Sequence, residues 1–435
     1  MRSNADRSIS PITIAVAPRQ ALVDEQVDIR LSGFAPHQRI TLHAQMHDDS
    51  NGVWESDATF TSDDRGRVDV GTQRPLSGTY TDADAMGLFW SMTLDSPIPA
   101  DPRFSKTGVS PAMMILTASV DGVPVAKETL ERRFVAPEVA RLPVRENGLV
   151  GTLFLPGGTS PAPGVIVIGG SGGGLDEKSA ALLASRGFAA LALAYFAYEG
   201  LPTGLVDIPL EYFETAIHWM QGRERVRDDG LAVIGTSRGG ELALLLGTTF
   251  TQITAIAAYA PSAVIFGGIS REQSGGAAWT YRGMPLPFVP GRDDPTDAET
   301  ADRKPIALTP GFLRALEDRA AVERAAIPVE KIHGPVLLIS GQEDQMWPSS
   351  LFADMVVARL DAHHYPHPYH HLSYPGVGHL INAPYLPTTV IASHHPVTGH
   401  VFAYGGNAKD SAFAHADSWS KILAFLRESL KPEGT

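Results

Sequence analysis

Up to about residue 137, short runs of alternating apolar and polar residues follow one another between Asp, Gly and Pro turns; from residue 138, apolar strands alternate with helices. Within the second part, Leu231-Ala-Val-Ile-Gly235-Thr-Ser237-Arg-Gly239-Gly240 joins an apolar strand to an apolar helix through one sharp turn centred on a serine. Together these observations predict two domains: an immunoglobulin-like β-sandwich over 1–137 and an α/β-hydrolase fold over 138–435.

In the first domain Ile12, Ile14 and Val16 alternate with Thr13 and Ala15. Val27, Ile29 and Leu31 alternate with Asp28 and Arg30, and Ile40 and Leu42 follow the turn Ala35-Pro-His-Gln38. Period-two alternation marks a strand with one buried face. Further strands are expected at Val53–Thr61, Leu88–Leu94, Met113–Val120 and Val125–Val135, with turns such as Asp63-Asp-Arg-Gly66 and Asp121-Gly122 between them. No helix and no catalytic constellation is expected there.

After Ala136-Pro-Glu-Val139 the pattern changes. An opening hairpin turns at Glu146-Asn-Gly148 into strand Leu149–Leu155. Strands then follow at Val165–Ile168, Ala189–Ala194, Leu231–Ile234, Ile253–Tyr259 and Val336–Ser340. Helices are expected near Ser179–Arg186, Leu210–Gln221, Gly240–Leu246, Leu351–Leu360 and Ser418–Leu430. Uniformly apolar strands alternating with helices predict a mostly parallel sheet covered on both faces. Between about 266 and 332 the pattern loosens into Gly, Pro and Asp, with one helix around Pro310–Ala320. An insertion after the strand that follows the serine turn is expected to overhang the site as a lid or acyl-pocket wall.

Composition limits the function. The 435 residues are 43% hydrophobic and 19% charged with a net charge of −13, as in a soluble globular protein with no nucleic-acid partner. The absence of cysteine excludes disulfides, thiolate metal sites and a cysteine nucleophile. No apolar run is long enough to span a membrane. Met1-Arg-Ser-Asn-Ala-Asp-Arg lacks the apolar core of a signal peptide, and Pro432-Glu-Gly-Thr435 is not a peroxisomal address. A cytoplasmic location is the default expectation.

The pattern Gly-x-Ser-x-Gly occurs twice, at Gly235–Gly239 and Gly169–Gly173. The second copy lies in a run of glycines after a strand, which suits a loop offering backbone N–H groups to an oxyanion. The first has the single tight turn of a nucleophile elbow, so Ser237 is the expected nucleophile and Ser171 the minor candidate. The amide of Arg238 is one expected oxyanion donor, with Ser171 and Gly172 on the glycine loop supplying another. A serine needs a base and an acid that orients the base, in the chain order Ser, Asp or Glu, His. After Pro335–Ser340 comes Gly341-Gln-Glu-Asp344, which makes Asp344 the expected acid and Glu343 its alternative. Among 15 histidines, His379 in Gly376-Val-Gly378-His379 occupies the expected slot, after a short strand beyond the acid. His394, His395 and His400 are reserves. His363, His364, His367, His370 and His371 read as a solvated loop, with a metal site as the weaker alternative.

Met86-Gly-Leu-Phe-Trp90, Gly172-Gly-Gly-Leu175, Leu191-Ala-Leu-Ala-Tyr195-Phe with Tyr198-Glu199, Leu210-Glu-Tyr-Phe-Glu214, Gly235–Leu242, Gly341–Asp344 and Gly378-His379 resemble the acyl-CoA thioesterase and bile acid-CoA:amino acid N-acyltransferase family. The resemblance covers nearly the full length. It implies a β-sandwich followed by an α/β-hydrolase domain, an acyl-CoA or carrier-bound thioester substrate, and Ser237, Asp344 and His379 as the triad, with no cofactor and no metal. Amino-acid-conjugating members of the family carry cysteine as nucleophile, so Ser237 implies the hydrolytic branch and a place in fatty acid metabolism. The sequence departs from the eukaryotic members at Arg238, where lysine is common, and in its histidine-rich loop. For the phosphates of coenzyme A, Arg282 and Arg238 are the candidate contacts, with Gly173 beside them on the glycine loop. Two other classes stand beside hydrolysis. One is transfer of the acyl group to an amine or alcohol; the other is carboxylester hydrolysis or a binding role with a vestigial elbow.

Overall fold

The computed structural model describes residues 11–95, 103–270, 275–290 and 305–431. Both termini, read above for targeting signals, and parts of the 266–332 stretch lie outside these residues. The chain clusters as two units, Met1–Phe134 with Pro384–Val390, and Val135–Ala383 with Ile391–Thr435.

Among its described residues the first unit holds two sheets. One contains Thr13–Ala17, Asp28–Ser32 and Val68–Asp69; the other runs in the order Gln20–Leu22, Val123–Arg133, Ala112–Val120, Arg39–His47, Val53–Thr61, Ser77–Gly78, with Thr93–Leu94 also on Val53–Thr61. Alternation gives each long strand one buried face: Ile40, Leu42, Ala44 and Met46 are buried, while the residues between them are not. The expected strand Leu88–Leu94 is a correction. Asp84 accepts from Met86 N and from Trp90 Nε1, both at 2.8 Å, and this closes a helical turn over Gly87–Trp90. Pairing begins only at Thr93. A short apolar run does not by itself separate a strand from a buried helical turn. Pro384–Val390 docks through Thr388, whose N–H donates to Trp90 O at 3.0 Å, and through Thr389 Oγ1, which donates to Met92 O at 2.6 Å.

In the second unit the main sheet, among the described residues, has eight strands: β1 (Ala140–Val144), β2 (Val150–Leu155), β3 (Ala162–Ile168), β4 (Ala189–Ala194), β5 (Val226–Thr236), β6 (Ile253–Tyr259), β7 (Val336–Gly341) and β8 (Tyr369–Tyr374). Their order is β1-β2-β4-β3-β5-β6-β7-β8, with β2 antiparallel to both neighbours and the other pairs parallel. This is the α/β-hydrolase arrangement. Strands such as β4 and β7 are buried at every position, which is why they read as continuous apolar runs. Covering helices include α1 (Glu177–Ser185), α2 (Leu210–Gln221), α3 (Arg238–Thr249), α4 (Ser349–Ala362) and α5 (Ala408–Ser429). The last begins ten residues before the expected Ser418, because Asn407 caps it by accepting from Asp410 N at 3.0 Å.

Crossing from β4 to β3 and then β5 places the carboxyl ends of β3 and β5 side by side, with Ile168 opposite Gly235. The glycine loop after β3 and the serine turn after β5 therefore meet at one edge of the sheet, where ligands of such folds bind. Two further expectations are corrected. The helix around Pro310–Ala320 is a pair, Thr309–Ala315 and Arg319–Ala325, because Asp318 accepts from Ala321 N at 3.0 Å and starts a new helix. The histidine-rich stretch ends as edge strand β8 rather than loop. His371 there donates from Nδ1 to Asp354 at 3.0 Å and accepts at Nε2 from Ser340 Oγ at 2.7 Å. Among the described residues no group of three or more His, Asp or Glu could hold a metal ion.

Candidate active site

Ser237 lies between β5 and α3 with φ 59° and ψ −120°. Such a conformation costs a residue with a side chain about 1–3 kcal/mol and persists only where neighbours enforce it. Here Ser237 N–H donates to Tyr259 O at 2.8 Å, while Ser237 O accepts from Gly240 N at 2.8 Å and Glu241 N at 3.0 Å. The flanking glycines are steric requirements. A Cβ at Gly235 would stand 1.9 Å from Gly239 O, and one at Gly239 would stand 2.4 Å from Gly169 O.

The loops after β7 and β8 bring the other two expected residues to the same point. His379 Nε2 is 3.0 Å from Ser237 Oγ, and His379 Nδ1 is 2.8 Å from Asp344 Oδ2. All three are buried, with exposures of 8% for Ser237, 5% for His379 and 6% for Asp344. The Asp344 carboxylate is held from several sides. Oδ1 accepts from Met346 N at 2.9 Å and Trp347 N at 3.2 Å, and Oδ2 also accepts from Ser349 Oγ at 2.6 Å. A carboxylate only accepts, so Nδ1 of His379 carries the proton and the Nε2 lone pair faces the serine hydroxyl. Glu343 is exposed and stands outside this set. Tyr404 O takes the His379 N–H at 2.9 Å, and Trp347 meets the imidazole edge-on at 6.1 Å.

The glycine loop runs directly over the serine. A Cβ at Gly170 would stand 3.1 Å from Ser237 Cβ and 3.7 Å from its Oγ. Gly173 N donates to Gly170 O at 3.1 Å, closing a turn with Ser171 and Gly172 at its corners, where amides take no part in the turn bond. Arg238 N–H, the first of α3, has no acceptor inside the helix. The Arg238 guanidinium is not available to phosphate. It donates to Phe266 O at 2.8 Å and Gly267 O at 3.0 Å and pairs with Glu241 at 3.1 Å, both side chains being buried. Burial raises the Glu241 pKa, and this carboxyl also accepts from Trp279 Nε1 at 2.7 Å. Breaking one member of such a pair costs about 3–5 kcal/mol, so the network fixes the helix that follows the serine. Arg282 is exposed, its N–H donating to Glu211 Oε1 at 2.6 Å and its guanidinium 5.1 Å from the Tyr281 ring. Gly173 adopts φ +65°, and a Cβ there would meet Ala197 Cβ at 2.6 Å.

Four residues at the site escaped functional assignment from sequence. Ser349 supports Asp344, and Tyr195 OH donates to Gly169 O at 2.8 Å. His395 bonds Ser171, its Nε2 being 2.9 Å from Oγ. His415, on α5, donates from Nε2 to Leu380 O at 3.1 Å and so anchors the loop that follows His379. Ser349 and His415 lie outside the quoted motifs; Tyr195 stood in a family-like stretch without a role, and His395 stood among the reserve bases. A second Ser-His-Asp alignment, Ser340–His371–Asp354, has its serine fully buried within β7 and out of reach of substrate.

His415 makes the fold sensitive to acid. Burial pushes its pKa down to about 4, and its Nδ1 is buried without a partner among the described residues. Below about pH 6.5 the unfolded chain takes up a proton that the folded one refuses, so stability falls as pH drops from 6.5 towards 4. The loss reaches about 3 kcal/mol at the acid end. Urea midpoints at pH 7 and pH 4.5 should therefore differ more for the wild type than for His415→Phe; equal pH dependence in both would remove His415 as the cause.

A family model described as "Acyl-CoA thioester hydrolase/BAAT N-terminal region" matches residues 24–146, and one described as "BAAT / Acyl-CoA thioester hydrolase C terminal" matches residues 208–432. Acyl-coenzyme A thioesterase 1 of Mus musculus is 33% identical over 94% of each chain. The peroxisomal succinyl-coenzyme A thioesterase of Mus musculus is 33% identical over 96% of this chain and 97% of its own. The bile acid-CoA:amino acid N-acyltransferase of Mus musculus is 34% identical over 97% of this chain and 98% of its own. Relatives named peroxisomal and mitochondrial stand among them, so the likeness does not carry the cytoplasmic expectation. Among the described residues no helix is long and apolar enough to cross a membrane.

Proposed function

The chain belongs to the acyl-CoA thioester hydrolase/BAAT family, and from that premise we propose that it hydrolyses acyl-CoA or carrier-bound acyl thioesters to a free acid and a thiol through an acyl-Ser237 intermediate. The observation that carries this reading is the serine itself, held 3.0 Å from a histidine that is in turn held by a buried carboxylate. Relatives named as thioesterases and as N-acyltransferases are about equally similar to the chain, so identity does not choose between the two activities. The nucleophile favours hydrolysis: an acyl-serine oxygen ester resists aminolysis better than an acyl-cysteine thioester, so water is the favoured acceptor, although serine does not forbid transfer.

In this mechanism His379 Nε2 takes the Ser237 proton as Oγ attacks the thioester carbonyl. Asp344 compensates the imidazolium. The amide of Arg238 and the amides of Ser171 and Gly172 meet the developing oxyanion. The C–S bond breaks and the thiolate leaves with the proton from Nε2. Water then gives a proton to Nε2, attacks the acyl-serine carbonyl, and releases the acid as Oγ regains its proton. No cofactor or metal enters any step. Arg282 and Gly173 are the proposed contacts for the coenzyme A portion. The aromatic group Phe266, Phe312 and Trp347, which reaches from the 266–332 insertion to the edge of His379, is the proposed wall of the acyl pocket. The two units are read as the two domains, divided near residue 137, and the strand alternation of the first supports an immunoglobulin-like sandwich.

The test is free-thiol release from short, medium and long acyl-CoAs with the product identified with and without added glycine or taurine. Free acid in both conditions is expected. An amide formed only when the amino acid is present would replace hydrolysis by transfer.

A further inference from the structure

The five glycines of Gly169–Gly174, interrupted by Ser171, would by themselves leave the loop over Ser237 conformationally free. At its base Tyr195 OH holds Gly169 O, and Gly174 N donates to Phe196 O at 3.2 Å. Ser171, the only residue at its tip with a side chain, is held by a different element. The hairpin formed by Ala392–His394 and Val401–Ala403 presents His395 in its connecting turn, with Gly399 N donating to His395 O at 2.8 Å and His395 N donating to His400 O at 2.8 Å. His395 is 8% exposed, and its imidazole packs edge-on against Phe402 at 5.7 Å. Its Nδ1 accepts from Thr398 N at 3.2 Å, so the ring proton lies on Nε2 and is donated to Ser171 Oγ at 2.9 Å. Next to it, Pro396 Cγ would be 3.4 Å from a Cβ placed on Gly172. The hairpin turn therefore fixes both corners of the turn whose first residue, Gly170, lies against the nucleophile.

We propose that His395 is a positioning residue for the reaction: by donating to Ser171 it locks the Gly170–Gly173 turn so that the Ser171 and Gly172 amides stand ready for the oxyanion. This rests on reading Ser237 as the nucleophile. It gives the second Gly-x-Ser-x-Gly copy a task in which its serine hydroxyl accepts a hydrogen bond and attacks nothing. A donor preorganised before the charge develops needs no reorganisation at the moment of reaction, whereas a polyglycine turn without the clamp would have to find its geometry each time.

The experiment uses a fluorophosphonate, whose phosphoryl oxygen occupies the oxyanion position when Ser237 Oγ displaces fluoride, so it reports the loop independently of thioester chemistry. Second-order labelling rates at Ser237 are measured for wild type, Ser171→Ala, Ser171→Thr, His395→Leu and His395→Gln, with thiol release and melting temperature on the same proteins. Ser171→Ala and His395→Leu should label about 10- to 100-fold more slowly, with the loss in kcat rather than KM and melting unchanged. The two variants that keep a hydroxyl or an N–H donor should stay within about threefold of wild type. Wild-type rates in Ser171→Ala and His395→Leu would overturn the proposal, as would an equal loss in all four variants that follows their melting temperatures. Slowed labelling in a wild-type background that releases no thiol from any acyl-CoA would uphold the clamp and defeat the thioesterase reading.

Discussion

Ser237→Ala should lower thiol release from acyl-CoA by about 10⁴-fold or more while leaving the fold intact. The substitution removes one oxygen that is 3.0 Å from His379 Nε2 and leaves the backbone bonds of Ser237 to Tyr259, Gly240 and Glu241 in place. Alanine meets the same φ of 59° as serine, so the strain is neither relieved nor increased appreciably. What survives is the contribution of the oxyanion donors and of binding, which alone exceed the reaction in water. Ser171 does not take over. Its hydroxyl faces His395, whose Nδ1 accepts a backbone N–H, so no base is poised to take a proton from it. Steady-state rates with circular dichroism on both proteins check this, and activity within about tenfold of wild type would remove Ser237 from the chemistry.

Asp344→Asn should cost about 10⁴-fold in kcat with little change in KM. The carboxylate now accepts at Oδ2 from both His379 Nδ1 and Ser349 Oγ, and at Oδ1 from two backbone amides. An amide at this position keeps an acceptor for the loop N–H groups only by turning its NH₂ towards His379. That donor would hold the imidazole with its proton on Nε2, the tautomer that cannot accept from Ser237. The pair Asp344→Asn and Ser237→Ala should then be no worse than Ser237→Ala alone, because residues that act as one unit are not additive. Single-turnover rates on the three proteins measure it; a multiplicative loss would show that Asp344 acts apart from the serine.

How much could be read in the sequence follows from how local each cause is. Gly235 and Gly239 flank Ser237 because their Cβ atoms would collide with backbone oxygens within the turn and the adjoining strand end, a constraint that leaves a short motif. Asp344 and His379 were approachable because chain order and loop position in a doubly covered sheet restrict where an acid and base can lie. The helical turn at Gly87–Trp90 was not, since Asp84 makes it through a tryptophan six residues on and the apolar run looks the same either way. A short strand before His379 was expected from chain order, but the extent of β8 into the histidine-rich stretch was hidden: as an edge strand its side chains are mostly partly exposed, so neither alternation nor a continuous apolar run marks it. The bonds from His395 to Ser171 and from His415 to Leu380 join positions far apart in the chain, and nothing local to either residue records them.

The most direct measurement is capture of the covalent intermediate. Enzyme mixed with a long-chain acyl-CoA is quenched in acid within the first turnover, digested, and mapped by mass spectrometry. The expected result is the acyl mass on the peptide that contains Ser237, absent from Ser237→Ala and replaced by free acid as the reaction ages. An acyl group on any other residue, Ser171 included, or full thiol release by Ser237→Ala, would contradict the assignment of Ser237, His379 and Asp344 as the machinery of thioester hydrolysis.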